Sequence, residues 1–267
     1  IRDCPATTLA SNCYYQMFQG CTRLTQAPAL PATTLRGYCY YSMFYNCTSL
    51  TQAPALPATT LGYSCYQAMF SSCTSLAQAP ALPATTLANY CYFGMFIGCT
   101  SLTKAPTLPA TALANSCYAR MFQGCTSLTQ APALPATTLA EYCYTNMFYN
   151  CTGLTQAPAL PATTLAEYCY YQMFYGCTDL KLSSTQTGEY TVAYRIPTAG
   201  TGTTAISALN AMFTGTGGTF IGTPEINMTY YLSNTNEVIG GPIVVDPIVV
   251  NITASNISKY FTVTNGS

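Results

Sequence analysis

The chain has 267 residues, only 6% of them charged, and its eight basic and eight acidic side chains cancel; soluble domains average about 25% charged residues. Such a surface has no basic field to draw nucleic acid or anionic lipid. With no histidine, the chain lacks the side chain that titrates near neutrality and is the commonest metal ligand.

From the N-terminus, "IRDC" runs straight into "PATTL", which reads as the end of a repeat unit with its strand deleted, placing Cys4 in register with a later cysteine series. A 26-residue period then takes over. One cysteine series runs from Cys13 to Cys169 and a second from Cys21 to Cys177. The unit PATTLxxxCYxxMFxxCTSLTQAPAL begins at Pro5, Pro31, Pro57, Pro83, Pro109, Pro135 and Pro161. A unit this short cannot bury its own apolar face, so the copies must stack into a solenoid.

Within the unit, the stretch from Leu9 to Gln19 reads as a helix of about three turns. Thr138 with Glu141, and Thr164 with Glu167, have capping-box spacing. Gly20, Asn46, Gly98 and Gly176, each just before the second cysteine, read as left-handed helix stops. On a helical wheel Leu9, Ala10, Cys13, Tyr14, Met17 and Phe18 form the inner face. The opposite positions change from copy to copy within this one chain. The following "CTSLTQAPALP" reads as a strand of three or four residues, limited by prolines that cannot donate to a sheet ladder. These elements predict an α/β repeat solenoid, with a parallel β-sheet on one side and short helices on the other.

The cysteines do not carry chemistry in this reading. Gaps of 7 and 17 residues between them miss zinc-ligand spacing, and no base lies near to activate a thiol. Cys13 and Cys21 lie about 10 Å apart if helical, too far for a bridge within one unit. Buried free thiols are favoured, with bridges between coils as the alternative.

Residues 1–180 are thus seven repeats with a truncated start. The degraded copy in 181–226, with Thr203, Met212, Phe213 and Pro224, is a capping repeat. Residues 227–267 form a small β-rich C-terminal extension. In it, "PIVVDPIVV" (242–250) reads as two short edge strands that either pair with another chain or fold back and seal the solenoid.

The run Phe18-x-Gly20-Cys21-x-x-Leu24, a strand ending in proline and a helical return together resemble the BspA-like leucine-rich repeats of bacterial surface proteins, also seen in phage-encoded proteins. Residues 5–180 carry the resemblance; the longer return and the second cysteine depart from the commoner unit. The resemblance implies a non-enzymatic cell-surface role and supplies no catalytic residues. The residue reading agrees, giving no catalytic, metal or cofactor site. The varied face offers Tyr41, Tyr45, Phe93, Ile97, Arg120, Tyr149, Tyr171 and Tyr175 among small polar residues, which is binding-loop chemistry. The expected function is an extracellular recognition or adhesion module whose partner is a protein or glycan on a host or neighbouring cell, with neither nucleic-acid binding nor membrane insertion. The alternative is a structural subunit of a filament or virion appendage, self-assembling through 227–267.

Overall fold

The structure, a computed structural model, describes residues 4–240. The expected helices are absent: among the described residues there is no helix, and the strands form two small sheets. The reason lies in the backbone of the CYxxMF segment. In coil 2, which starts at Pro31, φ is positive at Tyr38 (58°), Ser42 (49°) and Asn46 (58°). Coil 3 repeats this at Ser64, Ala68 and Ser72, and the last coil at Ser207, Ala211 and Gly215. A right-handed helix cannot absorb a left-handed residue at every fourth position.

What replaces the helix is a tape of consecutive turns with two alternating sets of hydrogen bonds. The amides of Tyr41, Met43, Tyr45 and Cys47 each donate to the carbonyl three residues back, at 3.1–3.4 Å. The intervening amides of Tyr38, Tyr40, Ser42, Phe44 and Asn46 donate instead to Tyr63, Cys65, Gln67, Met69 and Ser71 of the next coil, at 2.8–2.9 Å. Carbonyls divide the same way. Each tape therefore satisfies its own backbone only when flanked by other tapes, as a buried backbone must be satisfied.

The other half of each coil is nearly strandless. Successive coils touch through single-residue parallel bridges such as Gln26↔Gln52, Gln78↔Lys104 and Thr34↔Thr60. Pro54 and Pro57, three residues apart, lack the amides a continuous ladder needs. The expected parallel sheet is thereby reduced to a row of rungs. Among the described residues it lengthens into a strand towards the C-terminal end, as at β1 (Gln156–Pro158), which pairs in parallel with β6 (Glu237–Ile239).

Between the halves lies the core. Cys39, Tyr40, Met43, Phe44, Cys47 and Leu50 are fully buried, and so are their counterparts in the next five coils. Leu35 is buried, whereas Leu61 is half-buried. Phenylalanines stack in a column from Phe18 through Phe44 and Phe70 to Phe174 and Phe213, with centroids 5.5–5.7 Å apart. A second column runs from Tyr14 to Tyr170 at 5.6–5.9 Å. The fourteen cysteines of the two repeat series, Cys13 to Cys169 and Cys21 to Cys177, are free thiols. The second series is tied across coils: Cys73 Sγ donates to the Phe44 carbonyl (3.1 Å) and Cys99 Sγ to Phe70 (3.1 Å). Cys4 does not join that series. It precedes Pro5 as Leu30 precedes Pro31, and at 2% against 3% exposure it fills the place of that leucine.

At the C-terminal end, residues 203–216 form an eighth tape against coil 7. The Tyr168, Tyr170 and Phe174 amides donate to Ile206, Ala208 and Met212. The chain between coils 7 and 8 carries β2 (Lys181–Ser183) and β3 (Tyr190–Arg195). With β4 (Gly217–Gly218) and β5 (Thr229–Ser233) they make a four-stranded sheet in the order β3-β5-β2-β4. Phe213, the last ring of its column, meets Tyr194 and Phe220 edge-on. Residues 227–240 pack back within the chain through β5 and β6; the "PIVVDPIVV" segment lies outside the described residues.

Candidate binding face

The four-residue turn decides which side chains meet at the surface. In coil 2 the bond from the Tyr41 amide to the Tyr38 carbonyl brings those two rings to 6.0 Å, inclined at 55°. Tyr90 and Phe93 repeat this at 5.8 Å, and Tyr168 and Tyr171 at 5.7 Å and 63°. Stacking of coils then joins the pairs. Tyr15 and Tyr41 lie parallel at 4.8 Å. Tyr63 bridges Tyr38 (5.3 Å) and Tyr90 (5.5 Å). The result is an unbroken aromatic ridge over coils 1–4. Arg120 extends it, its guanidinium carbon 6.0 Å from the Phe93 centroid, within cation–π range. Coil 5 carries no ring at these positions; beyond it Tyr142 and Tyr168, parallel at 4.8 Å, form a second aromatic run with Tyr171.

Of the eight residues expected at the binding face, Tyr41, Phe93 and Arg120 belong to the ridge and Tyr171 to the second run. Tyr45, Ile97, Tyr149 and Tyr175 form a neighbouring row four residues further along their coils, where Tyr149 and Tyr175 stack at 4.7 Å. Tyr45 and Arg120 are exposed; the other six are half-buried, each packed against its neighbours. Sequence reasoning missed Tyr15, Tyr38, Tyr63, Tyr90, Tyr142 and Tyr168. A helical wheel also sets residues three apart side by side, and positions 38 and 41 both fall on its outer face; the ring-to-ring chain across coils was not read from it. The signal was the run Tyr-Cys-Tyr-Tyr/Phe at 38–41, 90–93 and 168–171, whose first and fourth rings the turn joins.

The ridge is electrostatically quiet. Packing against its neighbours pushes the Tyr38 phenol up, and nearby Tyr63 adds to the shift. Tyr142 moves the same way, from packing first, then from Tyr168 and the Glu141 and Glu167 carboxylates. Both stay neutral and keep a hydroxyl that donates. Where rings lie parallel across coils they cover one another's faces, so ring edges and hydroxyls remain outward. Among the described residues no group of His, Cys, Asp or Glu could hold a metal, and no helix is long and apolar enough to cross a membrane.

A stack of near-identical coils with a fixed core and a changing surface defines a repeat solenoid of the binding-surface type. The profile of the BspA type Leucine rich repeat region matches in six copies over residues 11–116 and 87–192, and the chain belongs to that family. Such repeats generally serve protein interaction rather than catalysis, and the family is typically surface-associated. No curated protein and no solved structure matches the chain.

Proposed function

We propose that the chain is an extracellular recognition and adhesion module that holds a protein or glycan partner on a host or neighbouring cell through the aromatic ridge and the adjacent Tyr45–Tyr175 row. The observation that carries this reading is the contrast between core and surface. Cys39, Tyr40, Met43 and Phe44 recur unchanged in coils 3 to 7, whereas the ridge positions change from coil to coil and still join ring to ring. Linked aromatic rings among Ser, Asn and Gln give large, rigid contact area at little entropy cost, and such rings are the usual anchors of interfaces. Membership of a surface-associated family supports the extracellular setting.

The test is adhesion of beads coated with the intact chain to cell monolayers. A Tyr41→Ser, Tyr63→Ser, Phe93→Ser variant should lose binding by tenfold or more while its melting temperature shifts little. Adhesion equal to that of the unsubstituted chain would remove the ridge as the binding face. Treating the monolayer with glycosidase or with protease then separates glycan from protein partners.

A further inference from the structure

The strand half of the stack is covered over coil 6 and open over coil 4. At coil 6, Ala157, Pro158, Ala159 and Leu160 are all buried. The returning chain covers them, and the Ile239 carbonyl at the end of β6 accepts the Ala159 amide (2.7 Å). Gly240 then comes against coil 5, where a Cβ placed on it would stand 3.2 Å from Ala133 Cβ. Next to that point, Pro106, Leu108, Pro132, Ala133 and Ile239 line an apolar groove of about 390 Å³ across coils 4 and 5, with Lys104 on its wall. The counterparts of the Ala159 amide there are those of Ala133 and Thr107, and neither donates a hydrogen bond among the described residues.

Coil 4 is also where this half departs from the repeat. The TQAPAL of the unit is TKAPTL at 103–108, and both replacements, Lys104 and Thr107, line the groove. Lys104 stands where its bridged neighbours Gln78 and Gln130 carry glutamine. It forms no ion pair among the described residues. Glu237, three rungs on, gives its carboxylate to Gln156 Nε2 (2.6 Å). An apolar trough with two undonated amides and one unpaired ammonium fits an extended apolar segment that carries a carboxylate.

We propose that the occupant of this groove is residues 241–246 of the same chain, Gly-Pro-Ile-Val-Val-Asp, with the Asp246 carboxylate on the Lys104 ammonium. These six lie outside the described residues. They follow Gly240, which already stands at the mouth of the groove. Six residues reach up to about 20 Å, and neighbouring rungs are about 5 Å apart, so Asp246 reaches coil 4 from coil 5. Ile243, Val244 and Val245 offer the β-branched cover that Val238 and Ile239 bring to coil 6. The segment's carbonyls are the acceptors that the Ala133 and Thr107 amides need. A tethered segment acts at a high effective concentration, which favours it over the same segment of a second copy.

The experiment is amide hydrogen exchange, followed by NMR on the intact chain at several protein concentrations. Thr107 and Ala133 should be protected about tenfold more than Ala55, which has the same place in coil 2, two coils beyond Lys104. Reversing either charge alone, by Lys104→Asp or Asp246→Lys, should cut the Thr107 protection about threefold, and the two together should restore it. Thr107 and Ala133 exchanging as fast as Ala55 would overturn the proposal. So would protection that neither charge reversal moves, or that the double reversal leaves lost. Protection that grows with protein concentration also overturns it, since the occupant would then come from a second copy.

Discussion

Ala68 sits at φ = 52° with a side chain that gains nothing from that conformation. A left-handed alanine costs on the order of 1–2 kcal/mol, and glycine relieves the strain. Ala68→Gly should therefore raise stability by about 0.5–1 kcal/mol, read from the urea midpoint. In a helix the same change would lower stability by about 1 kcal/mol; a drop would contradict the turn tape. Tyr92 makes a second residue-scale case. Its ring belongs to the buried tyrosine column, yet its hydroxyl has no hydrogen-bond partner, and those of Tyr40 and Tyr66 share this condition. An unpaired buried hydroxyl costs about 1–3 kcal/mol. Tyr92→Phe keeps the ring and should leave stability equal or higher, whereas a loss above about 1 kcal/mol would show that the hydroxyl is paired.

The tape and the clasp that closes the stack set the element scale. Asn236 is buried and ties the returning chain to two coils at once. Its Nδ2 donates to the carbonyls of Thr155 (3.0 Å) and Asp179 (3.1 Å), and its Oδ1 accepts from the Lys181 amide (2.9 Å). Asn236→Leu removes the side-chain partner of the Asp179 carbonyl and the Lys181 amide, and leaves the Thr155 carbonyl with only the Glu237 amide; it should destabilise by about 2–4 kcal/mol, and thermal unfolding that does not shift would show the clasp is idle. Nothing in the sequence announced this residue, because its partners lie 57 and 81 positions away. The period, the buried Cys-Tyr and Met-Phe pairs, and the proline limit on the strands were legible, since each follows from residue type at fixed spacing. The helix was misread for a physical reason. A four-residue turn buries positions i, i+1, i+4, i+5 and i+8, which over nine residues falls on one side of a 3.6-residue wheel as well. Only φ separates the two, and the left-handed sites at Tyr38, Arg120 and Gln172 carry side chains that do not advertise it. Gly98 and Gly176 do advertise it, but at the last turn, where a helix would also stop. The face was read only in part: Tyr41 and Phe93 were singled out as variable outward residues, while Tyr38 and Tyr90, three positions earlier on the same face, were not.

Stacking coils places ionisable groups in one continuous apolar interior, and this gives the whole molecule a pH limit. Burial, the largest cause in each case, pushes the thiols of Cys73, Cys151 and Cys169 up to about 12 from an ordinary value of 9.0. Other buried thiols, Cys91 and Cys125 among them, and the column tyrosines move in the same direction. Below pH 9 the folded and unfolded chains hold these protons alike, so the thiols give stability no pH dependence. Between 9 and 12 the unfolded chain releases them and the folded chain keeps them, so stability falls as pH rises. Each such thiol contributes a slope of up to about 1.4 kcal/mol per pH unit, so Cys73, Cys151 and Cys169 together approach about 4 kcal/mol per unit. Domains of this kind are stable by only about 5–15 kcal/mol. Stability should thus be flat from pH 6 to 8.5 and collapse between pH 9.5 and 11, measured by urea unfolding under reducing conditions. Replacing Cys73, Cys151 and Cys169 by alanine should flatten the alkaline limb even while lowering stability at pH 7. An unsubstituted chain as stable at pH 10.5 as at pH 7 would mean that solvent reaches the thiols and that the coils do not form a sealed interior.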